Sequence, residues 1–175
     1  MDKLELLISQ DEIQEKVIEA AQAIDAEYAG QELTIIMVMK GAICITADLI
    51  RELKTPCDIE YVKASSYGHR GTKRGELKIT GIEDLDLTTR NVLVVDDIFD
   101  SGETLTGIIA ALQKKNPKSL KTLVLLYKKV HREIDYIPDY VLFDIDNYFV
   151  IGYGLDYKEY YRGLPGIYYF KEIPK

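Results

Sequence analysis

The sequence predicts an α/β fold with a mainly parallel central sheet flanked by helices. Short apolar runs rich in β-branched residues, such as Leu33–Met39 and Val92–Val95, are typical of strands buried on both faces. Segments with apolar residues at helical spacing follow these runs, and this alternation produces parallel sheets. The 175 residues are enough for a sizeable core, so we expect a single domain over residues 1–175.

Composition narrows the classes of function. The net charge of −7 argues against a general nucleic-acid surface, so we expect no nucleic-acid partner. The chain has no apolar run of the length that a signal peptide or membrane span requires. We therefore expect no membrane partner and a cytoplasmic location. Cys44 and Cys57 lie in apolar surroundings and are expected to be buried free thiols.

The first helix is predicted from Ser9 and Glu12, which form a capping-box pattern. Apolar residues then recur on one helical face, and we interpret this helix as structural. These residues are Ile13, Val17, Ala20 and Ile24.

The next unit is the strand Leu33–Met39, which ends at Lys40 and Gly41 before a helix that runs to about Leu53. A cation at this point is compatible with an anion site, since a helix N-terminus also attracts anions. Taken alone, a surface lysine beside a helix-starting glycine explains the pattern better.

A third strand is predicted at Ile59–Ala64, and Ser65–Gly81 follows it. The latter segment contains four glycines and several cations without a clear period. A segment of this length and composition is either a solvated loop or hairpin, or a functional lid.

The stretch Val92–Gly107 carries the clearest chemistry. Its apolar strand is followed by Asp96 and Asp97, then by the polar turn Asp100–Thr104 and a helix. A helix N-terminus attracts phosphate, and Gly102 lets the backbone approach a ligand closely. Carboxylates beside a phosphate site would repel it unless they bind sugar hydroxyls, hold magnesium or accept a proton. A ligand with both a phosphate and a ribose satisfies the whole stretch.

Simpler interpretations remain open for each part of this stretch. Asp100 or Ser101 could be only an N-cap. The acidic strand end could belong to a P-loop ATPase, but the chain contains no G-x-x-x-x-G-K-[ST] motif.

The order of an apolar strand, Asp-Asp, two apolar residues and Asp-Ser-Gly-x-Thr closely resembles the phosphoribosyl-pyrophosphate (PRPP) signature of type I phosphoribosyltransferases. The resemblance implies that the acidic pair contacts ribose hydroxyls and magnesium and that the turn cradles the 5′-phosphate. Some relatives have a lysine where this chain has Glu103, whose side chain we expect to point away from phosphate. The implied ribose and 5′-phosphate residues are Asp96, Asp97, Asp100, Ser101, Gly102, Glu103 and Thr104.

Other motifs between Leu33 and Pro165 resemble the hypoxanthine-guanine branch of this family. Met39-Lys40-Gly41 resembles its pyrophosphate loop, which implies a non-proline cis peptide at Met39–Lys40. The Ser-Ser-Tyr-Gly opening of the segment 65–81 resembles a mobile loop that closes over pyrophosphate. The implied pyrophosphate residues are Lys40, Gly41, Ser66, Tyr67 and Arg162.

Tyr148–Asp156 resembles the purine pocket of the same branch. Phe149 is implied to stack on the base, while Val150 and Asp156 border its 2-position. Lys128 is implied to donate a hydrogen bond to the 6-oxo group, and Arg132 matches an arginine near the site. The implied magnesium ligands are Asp96, Asp97 and Asp156.

The resemblance implies the type I phosphoribosyltransferase fold, with a mobile loop and a small hood from about residues 1–30 and 140–175. The implied reaction belongs to purine salvage and converts PRPP and hypoxanthine or guanine into IMP or GMP and pyrophosphate. Asp100 would accept the base's proton, Mg²⁺ would be the cofactor, and the enzyme would be a homodimer or homotetramer. Two alternatives stay open: a xanthine-preferring enzyme, and a PRPP-sensing regulator of the same fold.

Overall fold

The computed structural model describes residues 4–67 and 76–171. In chain order, the elements are β1 (Leu4–Ile8), α1 (Gln10–Glu27), β2 (Leu33–Met39), α2 (Ile43–Glu52), β3 (Cys57–Tyr67), β4 (Glu76–Thr80), β5 (Asn91–Phe99), α3 (Glu103–Gln113), β6 (Ser119–Lys128), β7 (Tyr140–Ile145), β8 (Val150–Ile151) and β9 (Ile167–Phe170).

The main sheet has six strands in the order β4-β3-β2-β5-β6-β7, and only the β3–β4 pairing is antiparallel. Successive residues of the central strands point to opposite faces. Ile35 packs in a core cluster with α1 and α2, whereas its neighbour Ile36 packs in a second cluster with α3. The prediction of a mainly parallel sheet with helices on both faces is therefore confirmed.

Helix α1 begins with the predicted capping box. The Glu12 backbone N–H donates to Ser9 Oγ at 3.3 Å, and the Ser9 N–H donates to Glu12 Oε2 at 2.8 Å. The predicted apolar face of α1 is buried against α2 and β7. The helix therefore covers one face of the main sheet.

A second, three-stranded sheet has the order β1-β9-β8 and is antiparallel. It draws on shorter segments than the expected hood of residues 1–30 and 140–175. Helix α1 packs on the main sheet, and β7 pairs with β6 inside that sheet. Helix α1 and strand β7 belong with the main sheet and not to the hood because their apolar residues pack in the core of that sheet.

Two strands extend further than predicted. Strand β5 continues past the acidic pair to Phe99, because its backbone ladder with β6 continues after Asp96. Strand β3 runs to Tyr67, where it pairs with β4, so both ends of the segment 65–81 are regular antiparallel structure. Residues 68–75, in the middle of the expected lid, lie outside the described residues.

Cys44 and Cys57 are free but half-buried, and burial raises the pKa of both thiols.

Within residues 4–67 and 76–171, helices of the length and apolar character needed to cross a membrane are absent.

Candidate active site

The carboxyl ends of β2 and β5 open onto a cavity of about 320 Å³. Ligands of open α/β sheets bind at this edge, because the loops after neighbouring parallel strands meet there. Besides Lys40, Gly41, Asp156 and Arg162, the cavity wall contains Asp96, Asp97, Asp100, Ser101, Gly102 and Thr104. The structure thus brings together residues from three motifs that are distant in sequence.

The acidic pair lies at the base of this cavity. Asp96 is only 5% exposed, and the Asp97 N–H donates to Asp96 Oδ1 at 2.9 Å. Burial, together with the neighbouring charge of Asp97, raises the pKa of Asp96 well above its ordinary value. A buried carboxylate pair is costly unless a cation, a proton or hydrogen-bond donors compensate it. The pair therefore suits a ligand that supplies hydroxyl donors or a divalent cation.

The predicted magnesium ligands are not gathered as one cluster. Asp156 instead pairs with Arg162 at 2.8 Å and accepts a hydrogen bond from the Glu159 N–H. Among the described residues, no group of three His, Cys, Asp or Glu side chains could hold a metal ion alone. Magnesium commonly binds through one or two carboxylates plus substrate phosphates, and Asp96 with Asp97 fits that mode.

Gly41 has a role that its sequence context did not reveal. A Cβ atom at Gly41 would lie 1.6 Å from Asp97 Oδ2, so only glycine lets the carboxylate occupy its position. A Cβ atom at Gly154 would lie 2.0 Å from the Gly41 carbonyl oxygen. The loop after β2 is thus packed between the acidic pair and the loop after β8. The peptide bond Met39–Lys40 is cis, as the resemblance implied.

The turn between β5 and α3 is suited to an anion. Gly102 is the N-cap residue, with a φ of +87° that favours glycine, and no side chain caps the helix there. The N-cap position is therefore occupied by Gly102 and not by Asp100 or Ser101. Ser101 Oγ accepts from the Glu103 N–H at 3.3 Å. The helix N-terminus faces the cavity with backbone donors that an anion can bind.

Lys128 is joined to this turn by an ion pair. Lys128 is the last residue of β6 and is 9% exposed, and its Nζ donates to Asp100 Oδ2 at 3.0 Å. Phe99 pairs with Tyr127 in the neighbouring strand, and this register brings the following residues, Asp100 and Lys128, together. The pair therefore holds a donor and a carboxylate side by side at the edge of the cavity.

Arg132 supports the same corner. Its guanidinium lies 4.2 Å from the ring centre of Tyr127 and 4.8 Å from that of Phe99, and Nη2 donates to the Lys128 carbonyl. A Cβ atom at Gly102 would lie 2.8 Å from Phe99 Cζ. The stack therefore connects the Lys128 backbone to the anion-binding turn.

The residues predicted for the purine pocket lie around β8. Phe149 is 42% exposed and meets Tyr157 edge-on, with ring centres 5.7 Å apart. Val150 is buried in β8. An exposed ring held by other rings is suited to stacking on a flat ligand.

Lys40 and Arg162 are both paired in this structure. Lys40 Nζ donates to Glu159 Oε2 at 2.8 Å, and Arg162 Nη1 donates to the Gly154 carbonyl at 2.7 Å. Glu159 was missed by sequence reasoning, because an acid in an irregular tyrosine-rich segment is not a specific signal. Ser66 and Tyr67 lie in β3, but their side-chain contacts fall outside the described part of the structure.

A larger groove of about 640 Å³ lies at the opposite, amino-terminal edge of the sheet. Its cations have protein partners: Arg90 pairs with Asp58 at 2.5 Å, and Lys118 donates to Gln31 at 3.0 Å. The smaller cavity combines an acidic pair, the N-terminus of α3 and the expected sheet edge. It is therefore the better candidate for the active site.

Comparison with known proteins identifies the class. Residues 9–158 match the family model of the phosphoribosyl transferase domain. The chain therefore belongs to the phosphoribosyltransferase family.

Its relatives narrow the comparison to one branch. The hypoxanthine-guanine phosphoribosyltransferase of Aquifex aeolicus is 40% identical over 95% of this chain and 94% of its own length. The hypoxanthine-guanine phosphoribosyltransferase of Bacillus subtilis is 41% identical over 93% of this chain and 90% of its own length. The crystal structure of the Bacillus anthracis enzyme superposes with a TM-score of 0.88 at 39% identity, covering 97% of this chain and 99% of that one. The type I phosphoribosyltransferase fold is thereby confirmed.

The chain also matches a longer relative, the Bifunctional protein TilS/HprT of Listeria monocytogenes, at 40% identity over 95% of this chain. It spans about a quarter of that protein's length, since 26% of the relative is covered.

Proposed function

We propose that this protein is a purine-salvage enzyme that transfers the 5-phosphoribosyl group of PRPP to hypoxanthine or guanine, giving IMP or GMP and pyrophosphate. The observation that carries the proposal is the Lys128–Asp100 pair beside the N-terminus of α3 and the acidic pair Asp96–Asp97. The cavity wall supplies groups for a phosphate and a ribose, and Lys128, which is bonded to Asp100 of that wall, supplies a donor for a base beside it. The names of the relatives support the same substrates.

PRPP would be held by three groups of residues. Backbone donors and hydroxyls of Ser101, Gly102 and Thr104 bind the 5′-phosphate, with Glu103 in the same turn. Asp96 and Asp97 accept from the ribose hydroxyls. Lys40, the Gly41 backbone, Arg162 and the β3 residues Ser66 and Tyr67 contact the pyrophosphate.

The residues present fit a magnesium-dependent reaction. Mg²⁺ bound with PRPP would neutralise charge on the departing pyrophosphate, with Asp96 and Asp97 at one site and Asp156 at a second. The anomeric carbon gains cationic character as pyrophosphate leaves, and Lys40 and Arg162 stabilise the leaving charge.

The base would lie between the turn that follows Phe99 and the β8 segment. Phe149 stacks on it, and Lys128 donates to its 6-oxo group. The Val150 backbone and Asp156 border its 2-position. Asp100 accepts the proton of the imidazole ring as the new bond to the ribose forms.

A steady-state assay with PRPP, Mg²⁺ and a panel of purine bases tests the proposal. We expect nucleotide and pyrophosphate to be released in equal amounts with hypoxanthine and guanine. Xanthine as the best substrate would favour the xanthine-preferring alternative. PRPP binding without product from any base would favour the regulator, which needs the acidic pair and the turn but not Lys128 with Phe149.

We further propose that the enzyme acts as a homodimer or homotetramer. Light scattering at the protein concentrations used in the assay tests this.

The Asp96→Asn variant is expected to raise the KM for PRPP and, in the ligand-free protein, to raise Tm. Folding raises the pKa of Asp96, so its stabilising contribution is complete below the unfolded-state pKa and is lost as pH rises through the folded-state pKa. At neutral pH, which lies above the unfolded-state pKa, burying this carboxyl group therefore destabilises the fold, and asparagine cannot ionise. Each kcal/mol of relief corresponds to about 2–4 °C in Tm for a domain of this size.

Thermal melts between acidic and neutral pH, together with PRPP saturation curves, measure both effects. The advantage in Tm should shrink as pH falls toward the unfolded-state pKa, below which Asp96 is protonated in both the folded and the unfolded state. The exposed residue Asp84 provides the control variant Asp84→Asn, which should leave KM unchanged. A lower Tm with an unchanged KM in Asp96→Asn would contradict the role given to this residue.

We also propose that residues 65–81 act as a lid over pyrophosphate. Amide exchange in this segment is expected to become slower when a transition-state analogue and pyrophosphate are bound. Hydrogen–deuterium exchange with mass spectrometry measures this, and the α1 segment, far from the cavity, is the internal reference. Equal protection with and without ligands would refute the lid.

A further inference from the structure

We infer that Glu159 is an affinity-determining residue that competes with pyrophosphate for Lys40 and Arg162. The inference rests on the proposed function, which assigns both cations to the leaving group. Glu159 Oε2 lies 2.8 Å from Lys40 Nζ and 3.2 Å from Arg162 Nη2. One carboxylate oxygen therefore joins two cations that are far apart in sequence, in the way an oxygen of a bound anion would.

The local backbone aims this carboxylate at Lys40. Lys158, Glu159 and Tyr161 have φ values of +51°, +69° and +74°, which non-glycine residues seldom adopt. The Glu159 N–H donates to Asp156 Oδ2 at 2.8 Å, which anchors the turn to a residue of the cavity wall. The position of the carboxylate is thus a property of the folded loop.

The charges favour this contact in the absence of an anionic ligand. Hydrogen bonds from Lys40 and Arg162 lower the pKa of Glu159, so the group is ionised throughout the neutral range. The side chains of Lys40 and Glu159 are 49% and 64% exposed, respectively. Exposed ion pairs of this kind are weak, so a ligand with several phosphate oxygens can displace the carboxylate.

The consequence concerns the product. While pyrophosphate is bound, Glu159 is displaced from both cations or faces the added negative charge. As pyrophosphate leaves, the carboxylate pairs again with Lys40 and Arg162. It thereby restores the counter-charge of Lys40 and adds to that of Arg162, which also pairs with Asp156. Glu159 thereby weakens pyrophosphate binding and favours its release.

A purely structural role for Glu159 predicts the opposite sign. If the carboxylate only positioned Arg162, its neutralisation would loosen the loop and weaken pyrophosphate binding. If it competes for the two cations, neutralisation strengthens binding. The direction of the change therefore separates the two roles.

The experiment compares wild type with Glu159→Gln, which keeps the size of the side chain and removes its charge. The inhibition constant of pyrophosphate against PRPP, at fixed Mg²⁺, is expected to fall about 3- to 10-fold, the range expected for one or two exposed ion pairs. The difference should shrink in about 0.5 M salt, because salt screens exposed pairs. Glu159→Ala should change the constant in the same direction, which excludes a new hydrogen bond from glutamine as the cause.

Glu19→Gln is the matched control. Glu19 pairs with Lys16 at 2.5 Å on the exposed side of α1, so this variant makes the same change in net charge away from the cavity. The inhibition constant of pyrophosphate for Glu19→Gln should equal that for wild type. An equal fall in Glu19→Gln, or an unchanged or higher constant in Glu159→Gln, would overturn the inference.

Calorimetric titration with pyrophosphate and Mg²⁺ measures the same affinity without turnover. Absence of phosphoribosyl transfer in wild type would refute the proposed function, while tighter binding by Glu159→Gln in this titration would still support the inference. Pyrophosphate that binds neither protein would overturn the inference.

Discussion

Replacing Asp100 with asparagine is expected to lower kcat by about 10²- to 10⁴-fold, the contribution typical of general base catalysis. Asparagine cannot accept the proton that the imidazole ring of the base loses. Its amide oxygen can still accept from Lys128 Nζ, which lies 3.0 Å from Asp100 Oδ2 in the wild-type structure. PRPP binding should therefore remain largely intact.

Steady-state kinetics with hypoxanthine measures the loss, and PRPP affinity is followed in parallel. A fall in kcat with an unchanged PRPP affinity separates proton transfer from damage to the anion-binding turn. The exposed Asp84→Asn variant again serves as the control and should retain wild-type kcat. A near-normal kcat in Asp100→Asn would remove this residue from the mechanism.

The second large effect concerns the choice of base. Hypoxanthine and guanine are expected to have the highest kcat/KM and xanthine a lower value. Adenine should be almost inert, with a kcat/KM about 10⁴- to 10⁵-fold below that of hypoxanthine. Lys128 is a donor only and is buried, and besides its bond to Asp100 its ammonium group can donate to an acceptor of the ligand but cannot accept from a ligand donor. The 6-oxo group supplies that acceptor, whereas the 6-amino group of adenine would place donor against donor.

The 2-position sets the order of the other bases. Backbone carbonyls of the segment Val150–Asp156 can accept from the 2-amino group of guanine. Xanthine presents a carbonyl there, so acceptor would face acceptor. Hypoxanthine has no substituent at this position and should be tolerated.

The measurement is kcat/KM for all four bases at saturating PRPP and Mg²⁺, in wild type and in Lys128→Gln. Glutamine can both donate and accept, so discrimination against adenine should collapse. Lys129→Gln is the matched control, since Lys129 is the next residue and is exposed. Adenine that reacts as well as hypoxanthine in wild type would refute the role of Lys128 and the proposed substrates.

Local features of the fold could be predicted because they depend on residues close together in sequence. The capping box of α1 requires only Ser9 and Glu12, and both of its hydrogen bonds form. The buried strand β2 follows from the apolar run Leu33–Met39. The end of β5 was placed too early because Asp96 and Asp97 are poor strand formers, and pairing with β6 outweighs that preference.

The small sheet could not be predicted in the same way. Strand β1 is stabilised by β9, and Leu6 pairs with Tyr168 from the other end of the chain. The sequence of neither segment indicates that the other is its partner. The pairing of β3 with β4 likewise overrides the glycine-rich composition of the segment 65–81 at its ends.

The sequence by itself determined the order of the strand–turn–helix units and the residue types at the end of each strand. Those residues were sufficient to indicate a phosphate and ribose site, and the resemblance of four motifs indicated the family. Only the tertiary structure decided which of these side chains meet. Lys128 reaches Asp100, Asp97 occupies the space beside Gly41, and Glu159 reaches Lys40. These contacts join residues distant in sequence, because parallel strands bring the loops at their carboxyl ends to one edge of the sheet.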